Sequence, residues 1–160
     1  MSKAESISIV VPVFNEEDSL KALYERLSSV LDAMGMPWEV ILVDDGSRDG
    51  STAIMRELNA LDSRVHAIFL SRNFGHETAS TAGLEAASGD WIVLMDADLQ
   101  DPPECIPVLL AKCREGFDMV YARRASREGE TLFKKVSAFL FYRIMADECL
   151  EMKSPKALIR

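Results

Sequence analysis

WIVLMDADLQD, residues Trp91 to Asp101, is the stretch whose reading decides the fold. Its first five residues are apolar, with the β-branched Ile92 and Val93 among them, and Gly89-Asp90 precedes them. A short apolar run bounded by turn residues reads as a strand buried on both faces. It delivers Asp96 and Asp98 to the point where strand gives way to loop. Residues i and i+2 point the same way while the chain stays extended, so both carboxylates can face one ligand. Two ionised carboxylates side by side repel each other, and a cation relieves that repulsion. Gln100 adds a neutral oxygen on the same side, and Pro102-Pro103 keeps the chain from curling back. An acidic turn before a helix cap is the plain alternative, because short motifs also arise by chance.

Working outward, a chain of 160 residues has room for one respectable core and predicts one domain. A hydrophobic content of 48% with 28% charged residues is ordinary for a globular protein and argues against disorder. The net charge of -8 speaks against sequence-independent nucleic-acid binding, so no nucleic-acid partner is expected. Between Arg123 and Arg143, six basic residues stand against Glu128 and Glu130, a local +4 that leaves -12 for the remainder. Cys105, Cys113 and Cys149 are odd in number, lack metal-ligand spacing, and read as reduced thiols in a cytosolic protein. The N-terminus carries one lysine before its first strand and does not read as a signal peptide. No run approaches the ~20 apolar residues that span a bilayer, so a soluble, cytoplasmic chain is the expectation.

Taken in order, Ile7 to Val13 (ISIVVPV) reads as a central strand with Pro12 at its exit. Leu20, Leu23, Leu27, Val30 and Leu31 recur at helical spacing, and Gly35 ends that helix. Glu39 to Val43 is the second strand, followed by a helix capped by Ser51 or Thr52 and running through Ile54, Met55, Leu58 and Leu61. Val65 to Leu70 is the third strand. A helix of small residues, His76 to Ala87, suits close packing against a sheet. After the strand at Trp91 come a helix over Ile106 to Cys113 and a fifth strand at Met119 to Ala122. Strands alternating with single helices predict an α/β fold, a Rossmann-like, mostly parallel sheet with helices on both faces. Ligands of such sheets sit beyond the carboxyl ends of the strands, where strand order reverses. Four strands bring polar groups to that edge: Asn15-Glu16, Asp44-Asp45, Ser71-Arg72-Asn73 and Asp96 with Asp98.

Neither a Gly-x-Gly-x-x-Gly turn nor a Walker pattern is present, which argues against dinucleotide and P-loop enzymes. An acidic edge holds phosphates through a divalent cation, and oxygen ligands suit Mg2+ or Mn2+. A diphosphate bridged by such a metal is therefore the natural ligand. Asp44-Asp45 could instead accept hydrogen bonds from a base or a ribose.

VVPVFNEEDSL, VDDGSRDGST, LSRNFG and DADLQDPPE, in this order and spacing, resemble glycosyltransferase family 2. The closer likeness is to its polyprenyl-phosphate, dolichol-phosphate mannosyltransferase-like group, over residues 7 to about 143. The resemblance implies a GT-A fold, a UDP- or GDP-linked sugar donor, a divalent metal, a polyprenyl-phosphate acceptor and inversion at the anomeric carbon. Carried over by motif, Pro12, Phe14 and Glu16 would line the nucleotide pocket, with Asp44 and Asp45 near base and ribose. Asp96 and Asp98, flanking Ala97, would meet the donor and hold the metal together with Gln100. Arg123 would face the lipid phosphate or the diphosphate. In this reading Asp96 and Asp98 are the catalytic pair, and the lipid phosphate, already ionised, lessens the need for a strong base.

The resemblance stops short of the family's second half. Residues 1-145 are therefore expected to form an incomplete nucleotide-sugar-binding domain and 146-160 a divergent tail, truncated after the nucleotide-binding half. Such a chain should bind donor and metal yet transfer sugar weakly, at the cytoplasmic face of a membrane in a full-length form, and its uncovered face could drive homo-oligomerisation. Thr131 to Met145 reads either as a helix packed on the sheet or as one lying on an anionic membrane surface. His76 reads as an exposed first-turn residue, and Arg72 as a partner for the acidic edge. A signalling receiver domain fails on order, because the acidic pair follows the second strand. A nucleotidyltransferase would open with a Gly-rich basic loop, which VFNEED is not. A catalytically inactive nucleotide-binding interaction module remains the alternative to an enzyme.

Overall fold

The computed structural model describes residues 5–122 and the backbone of 158–159, all within one unit of the chain. Five parallel strands stand in the order β3-β2-β1-β4-β5: β1 (Ile7–Val13), β2 (Trp38–Asp44), β3 (Val65–Phe69), β4 (Trp91–Leu94) and β5 (Leu158–Ile159). The helices are α1 (Leu20–Met34), α2 (Ser51–Leu61), α3 (His76–Ala86) and α4 (Ile106–Arg114), the last led in by a short 3-10 turn at Pro103–Cys105. The α/β expectation therefore holds, with helices on both faces.

The apolar runs are continuous because each strand buries both of its faces. Ile7, Ile9, Val11 and Val13 of β1, with Val40 and Leu42 of β2, join the core beneath α1, α2 and α4. Their alternating neighbours Val10, Ile41 and Val43 meet Ala79 of α3 on the other side. Small residues let α3 come close: a methyl group at Gly83 would run into Val10 and Val43. Gly35, at φ 64°, ends α1 in the left-handed region where glycine carries no Cβ penalty.

Pro12 lies within β1 and shapes its upper end. Trp91 N–H donates to Ser6 O and Met95 N–H to Val10 O, whereas Asp45 N–H donates to Val13 O. Even-numbered β1 residues thus turn their backbone groups toward β4 and odd-numbered ones toward β2. Pro12 has no N–H to offer the next rung. The β1–β4 register stops at Val10↔Leu94, while β1–β2 continues to Val13↔Asp44. Beyond Met95 the chain leaves the sheet, and the edge opens between β1 and β4, where strand order reverses.

Two expectations need correction. Met119 to Ala122 is not a strand; only Val120 forms an isolated bridge, and Met119 and Tyr121 are exposed. The edge position beside β4 is taken by Leu158–Ile159, which lies in the stretch expected to be a tail. Ser51 does not cap α2. It is the first helical residue after Gly50, and its buried hydroxyl accepts the Glu16 N–H at 2.8 Å. Arg123, Cys149, the Thr131 to Met145 stretch and the boundary near 145 lie outside the described residues. Among the described residues no helix is long and apolar enough to cross a membrane.

The opposite edge of the sheet is clasped by charge. Arg64 grips Asp62 through two nitrogens (Nε to Oδ1 3.0 Å, Nη2 to Oδ2 2.8 Å), and Tyr24 donates to the same carboxylate at 2.9 Å. The guanidinium also covers the Trp38 ring at 3.7 Å and reaches Asp32 at 2.7 Å. The Arg64 hydrogen bonds lead in lowering the Asp62 pKa from 3.8 to about 2, against the opposing effect of burial. A carboxyl whose pKa is depressed on folding stabilises the fold above its unfolded value and loses that contribution as pH falls through its folded one. Asp62→Asn should therefore cost about 1–2 kcal/mol at pH 7, a figure discounted for the exposure of Arg64. In denaturant melts the gap between wild type and variant should close as pH falls from 3.8 toward about 2.

Candidate functional site

Where β4 parts from β1, a cleft of about 270 Å³ opens at the carboxyl edge of the sheet. Its floor is Pro12, Val13, Ala79 and Ala97, and its walls carry Phe14, Glu16, Asp45, Asn73, Gly75, His76, Asp96 and Asp98. Three strand-to-helix loops and the tip of β4 converge here, as the fold requires of a switch point.

The loops are tied to one another before any ligand is considered. Asn15 N–H donates to Ser47 Oγ (2.9 Å), while Arg48 N–H donates to Asn15 Oδ1 (2.8 Å). Gly50 N–H donates to Glu17 Oε2 at 2.6 Å. Asn15 adopts φ 57°, a conformation that asparagine tolerates better than most residues. Gly46, at φ 73°, presses so close to the third loop that a Cβ would lie 2.6 Å from the Arg72 carbonyl carbon.

The acidic pair after β2 is structural in this state. Asp44 is buried, accepting the Ser47 N–H (2.8 Å) and the Thr52 hydroxyl (2.6 Å), and it does not line the cleft. Asp45 reaches the cleft wall, yet its two oxygens accept the N–H groups of Phe74 (2.7 Å) and Gly75 (2.9 Å). It thereby sets the loop that opens α3. Phe14 stands 43% exposed at the rim, and Glu16 accepts the Ser19 hydroxyl at 2.7 Å.

The pair after β4 is different in kind. Asp96 and Asp98 are exposed while Ala97 between them is buried, and both line the cleft, although Ala97 and Asp98 lie in a turn and not in extended chain. Asp96 Oδ1 lies 3.0 Å from His76 Nε2, and Asp98 Oδ1 accepts the Gln100 N–H at 2.9 Å. Oδ2 of each is left without a protein partner among the described residues. Leu99 sits at φ 60°, costly for a branched side chain, and turns the chain back at this point. Gln100 is exposed and is not among the lining residues.

Among the described residues no group of three or more His, Cys, Asp or Glu side chains converges as a metal cage. Two carboxylates with unengaged oxygens nonetheless fit a cation that arrives with phosphate oxygens, the usual manner for Mg2+ and close to that of Mn2+.

His76 is exposed in the first turn of α3, as read, and in addition pairs with Asp96. The reading of Arg72 changes. The guanidinium of Arg72 lies over the Phe74 ring at 4.7 Å rather than beside a carboxylate. Val13 and Ala79 also line the cleft but carried no sequence signal of their own, whereas Asn73 and Gly75, which line it too, lie in the LSRNFG stretch at the same sheet edge.

A family model for glycosyl transferase family 2 matches residues 8–156. The uncharacterized glycosyltransferase YkcC of Bacillus subtilis is 49% identical over 146 residues, covering 91% of this chain and 45% of that protein. The undecaprenyl-phosphate 4-deoxy-4-formamido-L-arabinose transferase of Salmonella paratyphi B is 44% identical over 132 residues, 82% of this chain and 40% of that one. Among solved structures, glucosyl-3-phosphoglycerate synthase from Mycobacterium tuberculosis, in complex with Mn2+, UDP and phosphoglyceric acid, superposes with a TM-score of 0.62 at 25% identity. That match covers 88% of this chain and 51% of that one. The chain spans less than half the length of these two curated relatives.

The tie from Asp45 to the third loop has a measurable signature. Asp45→Ala should cost about 1–3 kcal/mol by stranding two amides. Hydrogen exchange should speed up at Phe74 and Gly75 by more than the rise in β1 and β2, which reflects the global loss of stability alone.

Proposed function

The chain belongs to glycosyl transferase family 2, and we propose that it provides the donor-binding half of a metal-dependent, inverting transfer from a nucleotide sugar to a polyprenyl phosphate. The observation that carries this reading is the pair Asp96 and Asp98, exposed together at the switch-point cleft with one oxygen of each unengaged. These two residues would hold Mg2+ or Mn2+, with Gln100 close enough in sequence to add its amide oxygen. Such an ion, when bound, offsets the charge that builds on the departing nucleoside diphosphate.

The remaining work falls to the chain's own residues. Phe14 offers an aromatic face at the cleft rim for the base, and Glu16 and Asp45 offer acceptors to ribose hydroxyls. The acidic walls repel a bare diphosphate, so phosphate binding depends on charge neutralisation. In the transfer, a phosphate oxygen of the acceptor bonds to the anomeric carbon as the bond from that carbon to the diphosphate oxygen breaks. Attack opposite the leaving group inverts the centre. An acceptor that is already anionic needs orientation more than deprotonation, so positioning supplies much of the rate.

A polyprenyl-phosphate acceptor is supported by the likeness to the Salmonella transferase, whose name states such an acceptor. A lipid acceptor would place the reaction at a membrane, with the cytoplasmic face supplying the nucleotide sugar. Residues 1–160 are proposed to bind donor and metal and to transfer weakly by themselves.

Calorimetric titration of the 160-residue chain with UDP- and GDP-sugars, with and without Mn2+, tests the reading. Binding should require the metal, and Asp96→Asn and Asp98→Asn should each abolish the metal-dependent binding while leaving the melting temperature near wild type. Nucleotide binding that is equally strong in chelator would overturn it and favour a metal-independent interaction module. Fast turnover with polyprenyl phosphate would refute the weak-transfer part alone.

A further inference from the structure

His76 has no place in the mechanism above, yet among the described residues it makes the one side-chain hydrogen bond that Asp96 receives. Its Nε2 lies 3.0 Å from Asp96 Oδ1 across twenty residues of sequence. A carboxylate accepts and does not donate at neutral pH, so Nε2 must be the protonated nitrogen. The geometry points to His76 as a positioning residue that turns Asp96 so that Oδ1 is occupied and Oδ2 is presented to a divalent cation.

The placement is built and not incidental. Buried Asp45 accepts the amides of Phe74 and Gly75, and Gly75 takes φ 98°, a value open to glycine at little cost. That turn sets the first residue of α3 at the cleft. Ser80, one helical turn on and buried, donates to the His76 carbonyl at 2.8 Å, and its oxygen lies 3.5 Å from His76 Nδ1. Ser80 thus holds the backbone of the first turn at His76 while Nε2 faces Asp96 at the β4 tip. Without the imidazole Asp96, 54% exposed at its side chain, would have no side-chain hydrogen bond among the described residues to select a rotamer. Partners of this kind, which hydrogen-bond a metal-ligating carboxylate without touching the metal, commonly govern affinity by 10- to 100-fold, on the order of the effect expected here.

The inference rests on the metal reading of Asp96, and the experiment separates the two. Mn2+ affinity is measured by electron paramagnetic resonance on the 160-residue chain in the presence of UDP or GDP. Wild type is compared with His76→Ala, His76→Gln and Asp96→Asn. His76→Ala should weaken Mn2+ binding by about 10- to 100-fold. His76→Gln, whose amide can donate an N–H to Oδ1, should restore most of the loss. Spin-echo modulation should show no directly bound imidazole nitrogen on the Mn2+. Should His76→Ala unfold at assay temperature, His76→Leu, similar in bulk but without a donor, takes its place.

Wild-type affinity in the donor-free variants, with Asp96→Asn abolishing binding, would overturn the role of His76 and leave the metal reading intact. A directly bound nitrogen would overturn it too, by making His76 a ligand. No metal-dependent binding in wild type would end both.

Discussion

One missing hydrogen governs the business end of this molecule. Because Pro12 cannot donate, the ladder between β1 and β4 closes at Val10 and Met95, while the ladder between β1 and β2 runs on to Asp44. A parallel sheet with both ladders continued to the same height would keep Asp96 against its neighbour strand. Released there instead, the chain sends its two carboxylates over the top of the sheet, facing Phe14 and α3. The cleft is therefore a product of strand termination rather than of loop length, and its floor is made of buried, ordered residues.

The acids at that edge divide by duty. Asp44 and Asp45 spend their oxygens on Ser47, Thr52 and the amides of Phe74 and Gly75, holding the second loop and tying it to the third. Asp96 and Asp98 each keep one oxygen unspent and stay exposed. An unpaired carboxylate that is buried is costly, whereas one at the surface is not. The first pair thus serves as internal scaffolding and the second is left accessible at the cleft, although the sequence VDDGS looks as functional as DAD. Ligand recognition at Asp45 would have to share oxygens that the protein already uses.

Most of the architecture was legible in the sequence because it follows from local rules. Apolar runs that bury both faces, the helical spacing of Leu20, Leu23, Leu27 and Leu31, and Gly35 as a stop all appear where expected. Asp96 and Asp98 both reach the cleft, but through a turn after β4 and not through the extended i, i+2 geometry expected of them. What escaped depends on tertiary placement. Met119 to Ala122 has strand composition, but the vacancy beside β4 is filled by Leu158–Ile159, and composition does not reveal which segment takes an edge. The partnership of His76 with Asp96 was equally hidden, since it arises only once α3 lies on the opposite face from α1 and its first turn comes up under the β4 tip. Ser51 misled for a related reason: its hydroxyl serves the neighbouring loop at Glu16 and not its own helix.

The flush seating of α3 on the sheet carries a mechanical consequence. With Gly83 admitting Val10 and Val43 where any side chain would intrude, the helix has no slack in which to slide or roll. It behaves as a strut whose upper end is fixed by its lower half. Accommodation of an incoming guest must then come from torsions of the few exposed groups at the mouth, chiefly Phe14, Asp96 and Asp98. Enlarging the residue at position 83 would act like a shim, tilting the strut and shifting the mouth without altering any group that lines it.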